Sequence, residues 1–156
     1  MADYIQTGIT NIKELFSWLN ERSRSKDVLR NDLLREMRDN LKLLEHRNKE
    51  GVHVRAILQG LSAAKIEAAY SGNYNLRSLA HMAKLPAGLI LNKRQEKYIG
   101  WDAEQFIYSI EGKIKDLKNL PALYKDLDQA PVNLTLRLDN LYFQLLLLAV
   151  FIRNQR

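Results

Sequence analysis

Apolar residues recur at steps of three and four along nearly the whole chain, and this spacing most constrains what it can fold into. Side chains three and four apart share one face of a helix, whereas a strand needs strict alternation. Ile9, Ile12, Phe16 and Leu19 form a first stripe, widened by Leu15 and Trp18. Leu34, Met37, Leu41 and Leu44 form a second over about 27–49, and Val54, Ile57, Leu58, Leu61 and Ile66 a third over about 53–70. Leu76, Leu79, Ala80, Met82 and Ala83 suit a short helix, and Phe106, Ile107, Ile110, Ile114 and Leu117 a long one ending near 119.

The segment from Val132 to Asp139 alternates like a strand. Leu134, Leu138, Leu141, Leu145, Leu148 and Ile152 nevertheless step by four and three as a heptad-like seam. A hairpin there would have no further strand to join, and isolated hairpins are marginal, so the helix is preferred. The expected fold is all-α: an up-down helical bundle of four long helices plus two or three short ones, forming one domain over 1–156.

Breaks and caps punctuate the pattern. Ser25 is placed to cap the second helix with Asp27 in its first turn, and Glu50-Gly51 to end it. Ser71-Gly72-Asn73 stops the third. Asn92 with Gln95 and Asp102 with Gln105 have the spacing of capping boxes, and Pro121 and Pro131 bracket a connector at 122–129.

With no cysteine in the chain, disulfides, thiol catalysis and Cys-ligated zinc are excluded together, which suits a reducing, cytoplasmic setting. The first residues do not have the form of a signal peptide. The apolar run Leu141–Ile152 is shorter than the roughly twenty residues of a membrane span, so it reads as a buried core helix. The net charge of +6 is concentrated: residues 51–100 hold seven basic residues against only Glu67 and Glu96. Localised charge of this kind favours an acidic or phosphate-bearing partner, although a solvated basic surface is the plainer reading.

Three candidate surfaces follow. The first is the C-terminal helix, apolar nearly all round from Leu145 to Ile152. Such a helix must be enclosed by its own domain or by another subunit, so the seam Leu141, Leu145, Leu148 and Ile152 is a candidate contact for a protein partner or a second copy. The second is the basic middle. Arg77, His81 and Lys84 would share one helical face, followed by Lys93, Arg94 and Lys97 with Tyr74, Tyr98 and Trp101 interleaved. Cations neutralise phosphates and aromatic rings stack on unpaired bases, the chemistry of RNA or another polyanion.

The third is the string Arg47-Asn48-Lys49-Glu50-Gly51-Val52-His53, which resembles the signature of HEPN-domain ribonucleases, all-α domains of comparable length. The resemblance implies metal-free RNA cleavage. Arg47 would stabilise charge on the scissile phosphate, His53 would move protons, and Asn48 would orient the pair, with two motifs meeting across a dimer. The preferred reading makes Arg47 and Asn48 solvated last-turn residues and His53 the start of a helix.

His46, His53 and His81 lack metal-ligand spacing among themselves, and no phosphate loop or nucleophile elbow is present, so no metal or cofactor is expected. The leading expectation is a non-enzymatic interaction or assembly module, with an RNA-binding protein or ribonuclease as the alternative.

Overall fold

The computed structural model of the chain describes residues 12–22 and 27–154. All regular structure among the described residues is helical. Six α-helices run in the order α1 (Ile12–Arg22), α2 (Val28–Leu44), α3 (Val54–Gly60), α4 (Ala64–Ser71), α5 (Ala103–Leu123) and α6 (Leu134–Arg153). Four short 3-10 turns, Leu76–Leu79, Ala87–Leu89, Lys93–Tyr98 and Leu127–Gln129, fill the connections. Ile9 of the first stripe and the Ser25 cap lie outside the described residues.

α6 is the core helix. It packs against α5 and α2, while α2 also carries α1, α3 and α4. Leu141, Leu145, Leu148 and Ile152 are 0–2% exposed, and the intervening Leu146, Leu147, Ala149, Val150 and Phe151 are buried with them. The enclosure that this all-round apolar helix requires is supplied by its own chain. By length and composition alone α6 could cross a membrane; within the fold its apolar side chains form the centre of the core.

The helix expected over 53–70 is two helices, broken at Leu61-Ser62-Ala63. Polar groups from α2 stabilise the break. The Asn40 carboxamide accepts from Ser62 N–H at 3.0 Å and donates to the Ser62 carbonyl at 2.8 Å. Glu36 Oε2 accepts from Ser62 Oγ at 2.8 Å and from Lys65 N–H at 2.9 Å, so it caps α4 from a neighbouring helix. Backbone groups that a continuous helix would have paired internally are paired here by side chains from 22 to 29 positions away.

α3 and α5 cap each other's C-terminal ends. Lys118 Nζ donates to the carbonyls of Gln59 at 2.8 Å and Leu61 at 2.6 Å. Arg55 donates to the carbonyls of Pro121, Tyr124 and Lys125, the last at 2.7 Å. Cations at a helix C-terminus satisfy its orphan carbonyls and oppose its dipole. α5 runs to Leu123, past the expected end near 119, with Pro121 in its last turn. The expected capping box at its start forms: Asp102 accepts from Gln105 N–H at 2.8 Å and Gln105 accepts from Asp102 N–H at 2.9 Å.

α2 is capped by Asp27 itself, which accepts from Arg30 N–H at 3.2 Å. The helix ends at Leu44, and a run of tight turns carries the chain to Gly51, where φ is +81°. Gly51 takes the expected left-handed conformation, several residues beyond the helix end.

Candidate functional site, a basic groove

Two segments that are remote in sequence meet over the N-terminal half of α6. One is the turn after α2, which carries Arg47. Its Nε donates to Asp139 Oδ1 at 2.6 Å, and its Nη1 to the Leu44 carbonyl at 3.1 Å. The guanidinium lies 4.1 Å from the centre of the Tyr142 ring and 5.9 Å from that of Phe143. Ion pair and π faces both come from one stretch of α6, and the side chain is only 12% exposed.

The other segment is the 3-10 turn Lys93–Tyr98, fastened to α6 by Gln95. This residue is buried; its Oε1 accepts from Leu91 N–H at 2.9 Å and its Nε2 donates to the Phe143 carbonyl at 3.0 Å. The Asn92–Gln95 capping box does not form, because the Gln95 carboxamide is committed to these two partners and Asn92 makes no side-chain cap. Lys93, Arg94 and Lys97 are left exposed.

Between the two segments lies a groove of about 530 Å³, lined by Arg47, Asn48, Lys93, Arg94 and Lys97, with Asn92, Asn140 and Phe143 among the other walls. Four cations face a single carboxylate, Asp139, which Arg47 already engages. Under the Tyr98 wall a polar chain enters the core. Lys113 Nζ donates to Tyr98 Oη at 3.2 Å and to Gln144 Oε1 at 2.7 Å, and Gln144 Nε2 donates to Ser109 Oγ at 3.0 Å. Burial, reinforced by the charge of Lys97, lowers the Lys113 pKa to about 8. Burial also raises that of Tyr98.

Of the residues singled out from sequence, Arg47 and Asn48 thus join Lys93, Arg94 and Lys97 in one groove. The others are elsewhere. His53 is an exposed residue at the start of α3, makes no side-chain cap and does not line the groove. The helix expected over 76–83 is only the turn Leu76–Leu79, so the face that Arg77, His81 and Lys84 were to share does not form. Arg77 instead pairs with Asp102 at 3.3 Å and Glu104 at 3.9 Å. His81 and Lys84 are exposed outside the groove. The seam Leu141, Leu145, Leu148 and Ile152, a candidate partner contact, lies inside the core. Among the described residues, no cluster of His, Asp or Glu is arranged to hold a metal ion.

Asp139, Gln95, Asn140, Phe143 and Lys113 were missed. Asp139 and Asn140 occur where α6 is still amphipathic, but nothing in the order of residues points them at a turn more than ninety positions earlier. No protein-family model matches the chain, and neither the curated proteins nor the solved structures contain a match. The likeness to the ribonuclease signature is confined to its seven residues.

Proposed function

We propose that this chain is a non-enzymatic binding module whose ligand is a single-stranded nucleic acid such as RNA, held in the basic groove. The observation that carries the proposal is the meeting of Arg47 with Lys93, Arg94 and Lys97 along one concave wall. Phosphates of an extended strand are neutralised by such a row of cations, with counterion release as the driving term. Asn48, Asn92 and Asn140 supply amides able to meet base edges, and Phe143 adds an aromatic wall.

Cleavage is not part of the proposal. Arg47 is engaged by Asp139 and stacked on Tyr142, and His53 does not share the groove. Self-association rested on the apolar seam of α6; with those leucines in the chain's own core, that seam no longer supports it.

The test is fluorescence anisotropy with labelled single-stranded RNA, and DNA in parallel, at two salt concentrations. Three phosphate contacts from Lys93, Arg94 and Lys97 correspond to an affinity loss of about twentyfold between about 50 and 200 mM salt. Absence of salt-sensitive binding at micromolar protein removes the reading. RNA that remains intact with EDTA present, in wild type and His53→Ala alike, is the expected companion result.

A further inference from the structure

A second groove, of about 330 Å³, is lined by Tyr70, Trp101, Glu104, Gln105, Tyr108 and Ser109. It shares no lining residue with the basic groove. Three of its six lining side chains are aromatic, and two of these are open to solvent: Tyr108 is 73% exposed and Tyr70 39%. Trp101 is fixed from behind, its ring 4.8 Å from Tyr98 and 5.4 Å from Phe106 in edge-on contacts. One wall is therefore rigid while the other two stand exposed, an arrangement apolar burial alone does not explain.

Carboxylates act on this groove. Glu104 lines it and the charge of Glu111 reaches its Tyr70 wall, with Arg77 and Lys115 as their ion-pair partners. Glu111 Oε2 is buried with no hydrogen-bond partner. The field reaches the groove wall: burial, then the charges of Glu111 and Glu104, raise the pKa of Tyr70. Aromatic faces backed by negative charge attract a cation.

The polar atoms of the groove narrow the kind of cation. Gln105 Oε1 accepts from Asp102 N–H, Ser109 Oγ accepts from Gln144 Nε2, and Glu104 has Arg77 at 3.9 Å. A primary ammonium is strongly hydrated and must find acceptors for its three N–H groups, here chiefly the Glu104 carboxylate and the tyrosine hydroxyls. A quaternary ammonium has no N–H to satisfy and is weakly hydrated, so it loses least on entering.

We infer that the groove between Tyr70, Trp101 and Tyr108 is a binding site for a small quaternary ammonium compound of the choline type. The rings supply the π faces, and Glu104 and Glu111 supply the compensating charge. Its volume falls within the range of ordinary small-ligand sites.

The experiment is a titration of the full chain with choline and with tetramethylammonium, followed by calorimetry and by Trp fluorescence. Saturable binding of both cations is expected. The neutral isostere of choline, with a tert-butyl group in place of trimethylammonium, should bind at least about fivefold more weakly, as should either cation to Tyr108→Ala. Tyr108 is mostly exposed, so its removal leaves the fold intact; a matching circular dichroism melt checks this. Glu104→Gln should weaken the cations and leave the isostere unchanged. Non-saturable titration, equal binding of cation and isostere, or undiminished binding by Tyr108→Ala would each overturn the assignment. None of these outcomes depends on nucleic-acid binding by the other groove.

Discussion

Arg47 Nε and Asp139 Oδ1 lie 2.6 Å apart, although 92 positions separate them in the chain. The pair pins the turn after α2 to α6 and forms one end of the basic groove. Asp139→Ala leaves a guanidinium that is 12% exposed without its carboxylate. The expected loss of unfolding free energy is about 2 kcal/mol, read from urea denaturation. A loss under about 0.5 kcal/mol would show that stacking on Tyr142 and the bond to the Leu44 carbonyl are enough to hold Arg47 in place.

Replacing Lys93, Arg94 and Lys97 together by alanine should cut nucleic-acid affinity and also flatten its dependence on salt. For single strands each phosphate contact contributes about 0.7 to the slope of log affinity against log salt, so the triple variant should lose about 2 from that slope. Arg77→Ala, which disrupts pairs with Asp102 and Glu104 outside the groove, should leave the slope unchanged. An equal effect of the two variants would mean diffuse attraction to a basic protein.

Lys113 links stability to pH. Its folded-state pKa is lowered from 10.5 to about 8, so between these values the unfolded chain binds more protons than the folded one. Stability must then rise with pH across this window on account of Lys113. The raised pKa of Tyr98 acts oppositely: deprotonation of the phenol favours unfolding, at the alkaline end. Urea midpoints of wild type and Lys113→Met between about pH 7.5 and 9.5 check the sign, with the wild type gaining relative to the variant. A difference that does not change with pH would mean that the ammonium is well solvated beside Gln144.

At the break between α3 and α4 the important groups are Asn40 and Glu36. Asn40→Ala removes both hydrogen bonds to Ser62 in a buried setting and should cost about 2–3 kcal/mol in denaturant unfolding. Glu36 has its carboxyl pKa raised, chiefly by burial, despite accepting from Lys65 N–H and Ser62 Oγ. A raised acid favours the folded state most below its unfolded pKa, and that advantage is lost as pH rises through the folded value. Glu36→Gln should therefore remove a decline in stability on going from weakly acidic to neutral pH, measured against wild type in parallel melts.

The helical class, the buried stripes and the preference for a helix over a hairpin after Val132 were legible because they depend on local periodicity. Leu34, Met37, Leu41 and Leu44 all lie in the core, as their spacing requires. The Asp102–Gln105 box was legible for the same reason, both partners lying within one turn. Adjacent residues carry this information whatever surrounds them.

Tertiary structure decided the rest. The third stripe breaks at Ser62 because Asn40 and Glu36 of another helix satisfy its backbone, and Arg77 turns to Asp102 because the short helix around it tightens to a single turn. The apolar helix α6 could have been enclosed by a partner or by its own chain, and periodicity is identical in the two cases. Only the packing of α2 and α5 around it answers that. Both grooves likewise join side chains from distant segments, and a contact between distant segments is a property of the folded arrangement, which no local pattern encodes.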